Sequence, residues 1–408
     1  MNYNYRYQLR PSDALEEQLA WTVDACRQVY NHFLHRLNRN DDTSSYSEQK
    51  RLPDLKKWWN DLKQVHSKVL QKVVQRLYDN LSTLRGRKEN GNHVGTLKWK
   101  GKGEYRSFTY SQSGFKLKNT SGRTKLWLSK IGEIPLTFHR NLPDDAEIKT
   151  VTVKQEPTGK WYAILGVETL DNPPEKPETP TKCVGIDVGV LKYAHDTDST
   201  AVKSVDLSDE RERLERAQRD LSRKQHGSNN REEQRKVVAE RHADLKHKRR
   251  DFLHKLSNHY AQEYDLVAVE DLDAAGLVEL PGNSRNRAGA AWGTFLRMLE
   301  YKCEREGTHF VAVDPTGTTK ECAACGVSTD KPLWVREHSC PSCGFTADRD
   351  WNAAWNILSR GIKQLGAGRS ESTPVETALP VDTSVSAKRV VEAGSPTLKK
   401  RTASAVSE

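Results

Sequence analysis

Four cysteines stand in two C-x-x-C pairs, Cys322-Ala-Ala-Cys325 and Cys340-Pro-Ser-Cys343, with fourteen residues between them. Each pair is followed by a glycine, Gly326 and Gly344, which lets the chain bend sharply around an ion. Four thiolates suit tetrahedral Zn²⁺, and with sulfur in every position the ion is structural, with no open site for chemistry. Cys26, Cys183 and Cys303 are isolated within apolar patterns and read as small buried hydrophobes. An odd cysteine total with paired spacing argues for metal rather than disulfides.

Three carboxylates sit where apolar residues are expected. Asp187 lies within Val184-Gly-Ile-Asp-Val-Gly-Val190, Glu270 ends Leu266-Val-Ala-Val-Glu270, and Asp350 opens a helical pattern in Ala347-Asp-Arg-Asp-Trp-Asn-Ala-Ala-Trp-Asn356. A carboxylate in a buried strand costs free energy unless it is paired or bound to metal. Each alone is weak evidence, since strand-end acids are often solvated. Together they suggest a cluster for hard divalent cations such as Mg²⁺, which prefers oxygen ligands. Two such ions can activate water and stabilise the leaving oxygen of a phosphodiester. Asp271 and Asp273 read as surface or secondary acids.

The elements that must position these groups follow from periodicity. After a strand at Tyr3–Leu9, Ser12 is a candidate N-cap, and Leu15, Leu19, Val23, Cys26, Tyr30, Phe33 and Leu37 recur every three or four residues as one helix face. A polar loop over Asn38–Gln49 and a second helical stretch from about Asp54 to Leu84, broken near Ser67, are expected next. Five short strands follow from Tyr105 to Glu168 as an antiparallel β-unit. The segment 171–181 holds four prolines and marks a stiff linker. Beyond it come strands at Cys183–Val190, Leu191–Asp196 and Thr200–Leu207, charged helices over Asp209–Tyr264, a strand at Leu266–Val269, a helix at Ala290–Glu306, a strand at His309–Val313 and a last helix from about Asp350. This order fits an RNase H-like sheet. From 366 to 408 no aromatic residue occurs, and the segment is expected to be disordered.

Charge points to the partner. The 408 residues carry a net +10, yet residues 85–130 alone hold 12 Lys and Arg against two acids, and 211–255 hold 15 against eight. Concentrated positive charge is the footprint of a polyanion binder. Trp99, Tyr105, Phe108, Tyr110 and Trp127 lie in or beside the first basic segment, although any one of these rings is more simply a core residue. Lys98, Lys100, Lys102, Arg106, Lys246, Lys248, Arg249 and Arg250 are the candidate phosphate contacts. Gln71 and Gln75, one helical turn apart, could read adenine from one helix face. No apolar run is long enough to span a membrane, and the opening residues do not read as a secretory signal.

The motifs VGIDVGV, VAVEDLD, TTKECAACG with HSCPSCGF, and DRDWNAAWNIL, in this order, resemble the transposon-encoded TnpB family, compact relatives of type V CRISPR effector nucleases. The resemblance spans residues 1–365. It implies an α+β multidomain protein: a wedge-like β-barrel (1–10 and 95–170) with a helical recognition insertion (11–94), then a RuvC nuclease domain (182–317 and 347–365) with an inserted zinc ribbon (318–346). It implies an RNA-guided DNA endonuclease that binds a transposon-derived guide RNA and cuts target double-stranded DNA next to a transposon-adjacent motif. Asp187, Glu270 and Asp350 match the three RuvC acids that would hold two Mg²⁺ ions, and the four cysteines match the zinc ligands. A separate transposase from the same element is an implied partner, and the expected setting is the cytoplasm, at the nucleoid of a prokaryote.

Two further classes share parts of this pattern. A non-cutting RNA-guided repressor would keep the fold and lose a working acid cluster. A DNA-binding accessory or regulator of transposition would act through the ribbon without RNA. The complete acid set favours cutting.

Overall fold

A computed structural model describes residues 2–39, 43–120, 122–170, 172–273, 290–332 and 334–366; the predicted disordered tail lies outside them from residue 367 onward. The chain divides into two compact units, Met1–Asn172 with Arg216–Ala243, and Pro173–Glu215 with Asp244–Glu408. The first break falls within the proline-rich segment. Among the described residues no helix is long and apolar enough to cross a membrane.

The first unit is a seven-stranded antiparallel sheet packed with helices. Its elements are β1 (Asn2–Leu9), α1 (Asp13–Leu37), α2 (Ser45–Gln49), α3 (Leu52–Trp58), α4 (Ser67–Glu89), β2 (Ser107–Ser111), β3 (Phe115–Thr120), β4 (Arg123–Leu128), β5 (Gly132–Thr137), β6 (Glu147–Gln155) and β7 (Trp161–Glu168). The strand order is β2-β6-β7-β1-β5-β4-β3. Along β7 the period of two sends Trp161, Ala163, Leu165 and Val167 inward. They share one core with Leu19, Cys26, Tyr30 and Phe33 of α1 and Val69, Val73 and Leu77 of α4.

The expected barrel does not close among the described residues, because β2 and β3 remain the two edges of the sheet. The connection between them passes through Gln112 and Gly114 in left-handed backbone. A Cβ on Gly114 would lie within 3.0 Å of the His66 and Tyr110 rings.

Four local expectations also change. Ser12 begins α1, but its side chain caps nothing. The polar stretch 38–49 contains α2, held by a reciprocal Ser44–Ser47 capping box. The second helical stretch is three pieces: α3, which begins around Pro53, a tight turn at Asn60–Gln64, and α4. Phe115–Thr120, not foreseen as a strand, pairs with β4 along its whole length.

The second unit carries a five-stranded mixed sheet. Its elements are β8 (Cys183–Val188), β9 (Lys192–Asp196), β10 (Ala201–Lys203), α5 (Ser208–Ser222), α6 (Asn229–Glu263), β11 (Leu266–Glu270), α7 (Trp292–Glu306), β12 (His309–Val313), the short strands β13 (Glu337–Ser339) and β14 (Thr346–Asp348), and α8 (Arg349–Leu365). Parts of α5 and α6, residues 216–243, group with the first unit. The sheet order is β10-β9-β8-β11-β12, with β8, β11 and β12 parallel and the first three strands antiparallel. Every residue of β11 is buried, as a parallel strand covered on both faces requires.

Alternation decides which side chain meets which layer. Val184, Ile186, Val267 and Val269 pack with α7 and the end of α6. Leu266 and Ala268 pack with Trp351, Ile357 and Leu358 of α8. Gly185 lets α8 approach, since a Cβ there would sit 2.1 Å from the Ala354 carbonyl oxygen. The proline-rich segment lies against this unit, with Pro177 O 2.8 Å from His309 Nε2 and Lys176 paired to Glu304.

Candidate active site and metal centre

The alternation that buries Val184, Ile186, Val267 and Val269 on one face turns Asp187 and Glu270 to the other, toward α8. Asp350 stands in the first turn of α8 on that face. Asp187 senses the other two acids. Burial, followed by the charges of Glu270 and Asp350, pushes the Asp187 carboxyl well above its ordinary range, against the opposing Arg349 and Arg336. Burial also raises Glu270, whose Oε1 accepts a 2.5 Å hydrogen bond from Thr318 Oγ1. Asp350 accepts from Arg349 at 3.1 Å and pairs with Arg336 at 3.7 Å.

A second group joins the first. Lys192 pairs with Lys203 and Ala194 with Val202, so Tyr193 is the extra residue of a β-bulge. Past the bulge, His195 stands directly opposite Asp187 in register. Asp348 caps α8, accepting from the Asp350 and Trp351 amides at 2.9 and 3.2 Å. It also meets Lys192 Nζ at 2.8 Å and His195 Nδ1 at 3.2 Å. Desolvation works against the Asp348 charge, but His195 and Lys192 outweigh it and hold the carboxyl below its ordinary range. The ligand atoms of His195, Asp348 and Asp350 lie within 4.8 Å of one another. Asp187 and Glu270 stand outside that tighter group. The oxygen-rich set, with like charges raising Asp187, fits a hard divalent cation.

The four cysteine sulfurs also converge within 4.8 Å. Cys322 and Cys343 are 3.7 Å apart and Cys325 and Cys340 3.5 Å, close to the ~3.8 Å separation that four Zn–S bonds of ~2.3 Å impose on a tetrahedron. In each knuckle the glycine amide returns to the first cysteine's carbonyl, Gly326 N to Cys322 O and Gly344 N to Cys340 O. Backbone amides, Cys343 foremost, lower the Cys340 thiol toward the thiolate a metal needs, whereas burial pushes the Cys322 thiol up. The residues fit Zn²⁺.

What joins this module to the acids was not foreseen from sequence. Asn352, Asn356 and Arg360 recur every four residues on α8. Asn352 Nδ2 donates to Glu321 O at 2.7 Å and its Oδ1 accepts from Ala323 N at 2.9 Å. Asn356 donates to Thr318 O and Glu321 O at 2.9 and 2.7 Å. Arg360 meets Asp314 O, Thr316 O and the Glu321 carboxylate. The motif DWNAAWN thus presents Asp350 and docks the Cys₄ module with one helix. Thr318, Arg336, Lys192 and His195 carried no spacing signal that could have singled them out.

The candidate nucleic-acid residues are scattered. In the first unit Gln71 and Gln75 share a polar cleft of about 710 Å³ with Lys68, Lys72 and Gln112. Gln75 Oε1 accepts from Lys72 at 2.9 Å. Lys98 and Lys102 are exposed, Lys100 is fastened through its backbone to Asn31, and Arg106 bonds Gly103 O. Tyr105, Phe108 and Tyr110 are core, whereas Trp99 is 60% exposed. In the second unit Lys246 and Arg250 are exposed, Lys248 pairs with Glu210, and Arg249 is half-buried.

A family model described as "Probable transposase" matches residues 151–280, one described as "Cas12f1-like, TNB domain" matches 292–357, and one described as "Helix-turn-helix domain" matches 1–40. Over that last range the chain forms β1 and the single helix α1. A protein of Streptomyces pristinaespiralis named "Putative RNA-guided DNA endonuclease" is 34% identical over 382 residues, covering 89% of this chain and 90% of its own. The chain belongs to the TnpB family. Another relative, "Putative RNA-guided DNA endonuclease InsQ" of Escherichia coli K12, is 32% identical and covers 89% of this TnpB chain and 93% of its own. A solved Cas12f1–sgRNA–target DNA complex shares the fold, with a TM-score of 0.56 at 14% identity over 85% of this chain and 81% of that one.

Proposed function

We propose that this TnpB-family protein is an RNA-guided DNA endonuclease of a transposon, which cuts double-stranded DNA beside a transposon-adjacent motif in a RuvC-like, Mg²⁺-dependent site. The observation that carries the reading is the set of Asp187, Glu270 and Asp350 on the α8 face of a mixed sheet, with Asp187 strained first by burial and then by its neighbours' charge. Asp187, Glu270 and Asp350 would hold two Mg²⁺ ions. Bound Mg²⁺ supplies Lewis-acid charge for phosphodiester hydrolysis.

The chain's own residues do the rest. Thr318 fixes one oxygen of Glu270 and leaves the other for a ligand. Arg349 and Arg336 orient Asp350 and add positive charge where a phosphate would enter. Asp348 closes the first turn of α8 and so sets the place of Asp350. The four cysteines hold a structural Zn²⁺, and Asn352 and Asn356 tie that module to the acid-bearing helix. In this reading residues 1–10 and 95–170 are the wedge, 11–94 the recognition insertion, 182–317 and 347–365 the nuclease and 318–346 the zinc ribbon. Gln71 and Gln75 read adenine in the adjacent motif, the basic segments follow guide RNA and target DNA, and a separate transposase encoded by the same element moves it. The protein acts in the cytoplasm, on nucleoid DNA.

The test is expression with the native downstream flank, sequencing of copurified RNA, and a cutting assay with that guide. A discrete RNA running past the element's end, with cutting lost in Asp187→Ala and RNA binding kept, is expected. Random RNA fragments, or cutting retained in Asp187→Ala, would overturn the assignment.

A further inference from the structure

On the α6–α7 side of the second unit's sheet, away from the acids, lies a small cavity of about 260 Å³ that the proposed chemistry does not use. Tyr193, Leu207, Phe252 and Leu253 form its apolar walls, and two arginines line it, Arg211 of α5 and Arg249 of α6. The Arg249 Nε is buried and has no hydrogen-bond partner. A buried, unmet donor on a charged group costs roughly 1–3 kcal/mol or more and calls for a missing partner.

The nearby acids do not supply one. Glu210 is held by Lys248 through two 3.0 Å bonds. Asp206 accepts from the Ser208 amide at 2.9 Å and meets Arg211 only through space. The Glu210–Lys248 pair has a further effect: its members adjoin Arg211 and Arg249 in sequence, so the clamp that joins α5 to α6 also holds two guanidiniums close enough to repel. Burial and the Arg211 charge both act against the Arg249 cation. Two forked donors over an apolar floor, in a space the size of one phosphate group and its sugar, match an oxyanion with paired acceptor oxygens.

We propose that Arg211 and Arg249 form a seat for a backbone phosphate of a bound nucleic-acid strand, separate from the cleavage site. The inference rests on the nucleic-acid reading above and gives one phosphate contact a defined place.

The experiment titrates the full-length protein, wild type, Arg211→Gln, Arg249→Gln and the double variant, with labelled single-stranded RNA and DNA of the same sequence over a salt series. Losing one phosphate contact lowers the slope of log K against log salt by about 0.7 for a single strand. The double variant is expected to show that drop and to bind about tenfold more weakly at low salt. Loss with RNA alone assigns the phosphate to the guide, and loss with DNA alone to the target; both support the seat. Unchanged slope and affinity on both would overturn it.

A melting measurement without nucleic acid separates ligand binding from folding. The single variants are expected to melt no lower than wild type, since each relieves repulsion. A clear fall in melting temperature for Arg211→Gln and Arg249→Gln would make the pair structural and end the proposal. If Arg249→Gln does not fold, Arg211→Gln, whose side chain makes no hydrogen bond among the described residues, carries the titration. Wild-type cutting with copurified RNA is scored separately, so a failed nuclease assay leaves the salt series to be judged by itself.

Discussion

Asn356→Ala tests how the zinc module and the acid site are coupled. The Asn356 amide donates to the Thr318 and Glu321 carbonyls at 2.9 and 2.7 Å, and Thr318 in turn donates its hydroxyl to Glu270. Truncation removes two bonds worth about 1 kcal/mol each and strands a buried carbonyl; the Glu321 oxygen keeps its bond from Asn352. The expected cost is about 2 kcal/mol, local to the junction. Hydrogen exchange reads such a local change directly: amides of 315–325 and the facing part of α8 should exchange about 30-fold faster, while β6 and β7 keep their protection. Chelator-driven zinc release should quicken by a comparable factor, and cutting should slow because Glu270 loses its fixed partner. Asn356→Asp should be worse, since it sets an acceptor against two acceptors. Exchange within threefold of wild type would refute the coupling of Thr318 and Glu270 to α8.

Other outcomes follow from the same geometry. The purified protein should carry about one zinc per chain, and Cys325→Ala should lose both the metal and the folded 318–346 module, read by elemental analysis and proteolysis. Asp187→Asn should abolish cutting yet raise the melting temperature in Mg²⁺-free buffer. The sign follows from the raised carboxyl: the folded chain holds a proton that the unfolded chain has already released, so stability falls as pH climbs from the unfolded carboxyl's midpoint to the folded one. Above the folded midpoint the penalty is constant. Each pH interval of one between the two midpoints costs about 1.4 kcal/mol, or some 3–6 °C in a domain of this size. Mg²⁺ should then stabilise wild type more than the variant; a variant that melts lower without Mg²⁺ would sink the strained-acid reading. Gln71→Ala and Gln75→Ala should relax discrimination at adenine positions of the adjacent motif by about 1–3 kcal/mol, scored with a randomised flank, and leave other positions unchanged.

The chemistry of this chain was written in short sequence intervals. The two cysteine pairs with trailing glycines convert into converging sulfurs because each knuckle is closed by hydrogen bonds within a few residues. The acids were legible for a similar reason: an acid in an apolar strand is anomalous whatever the fold. Helix α1 followed from its period, and strands β6, β7, β11 and β12 from short β-branched or apolar runs. Local signals misled or fell short at two places. Ser12 had the type of a cap without its bond, and Phe115–Thr120 became a strand because β4 was there to pair with it.

The tertiary structure decided which groups meet. His195 faces Asp187 only because β8 and β9 pair in that register, and Lys192 reaches Asp348 across 156 residues of chain. Arg336 acts on Asp350 only once the zinc module is seated against α8. Whether the seven strands of the first unit closed was likewise beyond local pattern, since closure depends on β2 and β3 pairing with each other, and they remain the two edges. Residue type and short spacing determined what chemistry this protein carries. Register, docking and long-range charge, which are properties of surfaces that the fold creates, decided how those groups are held.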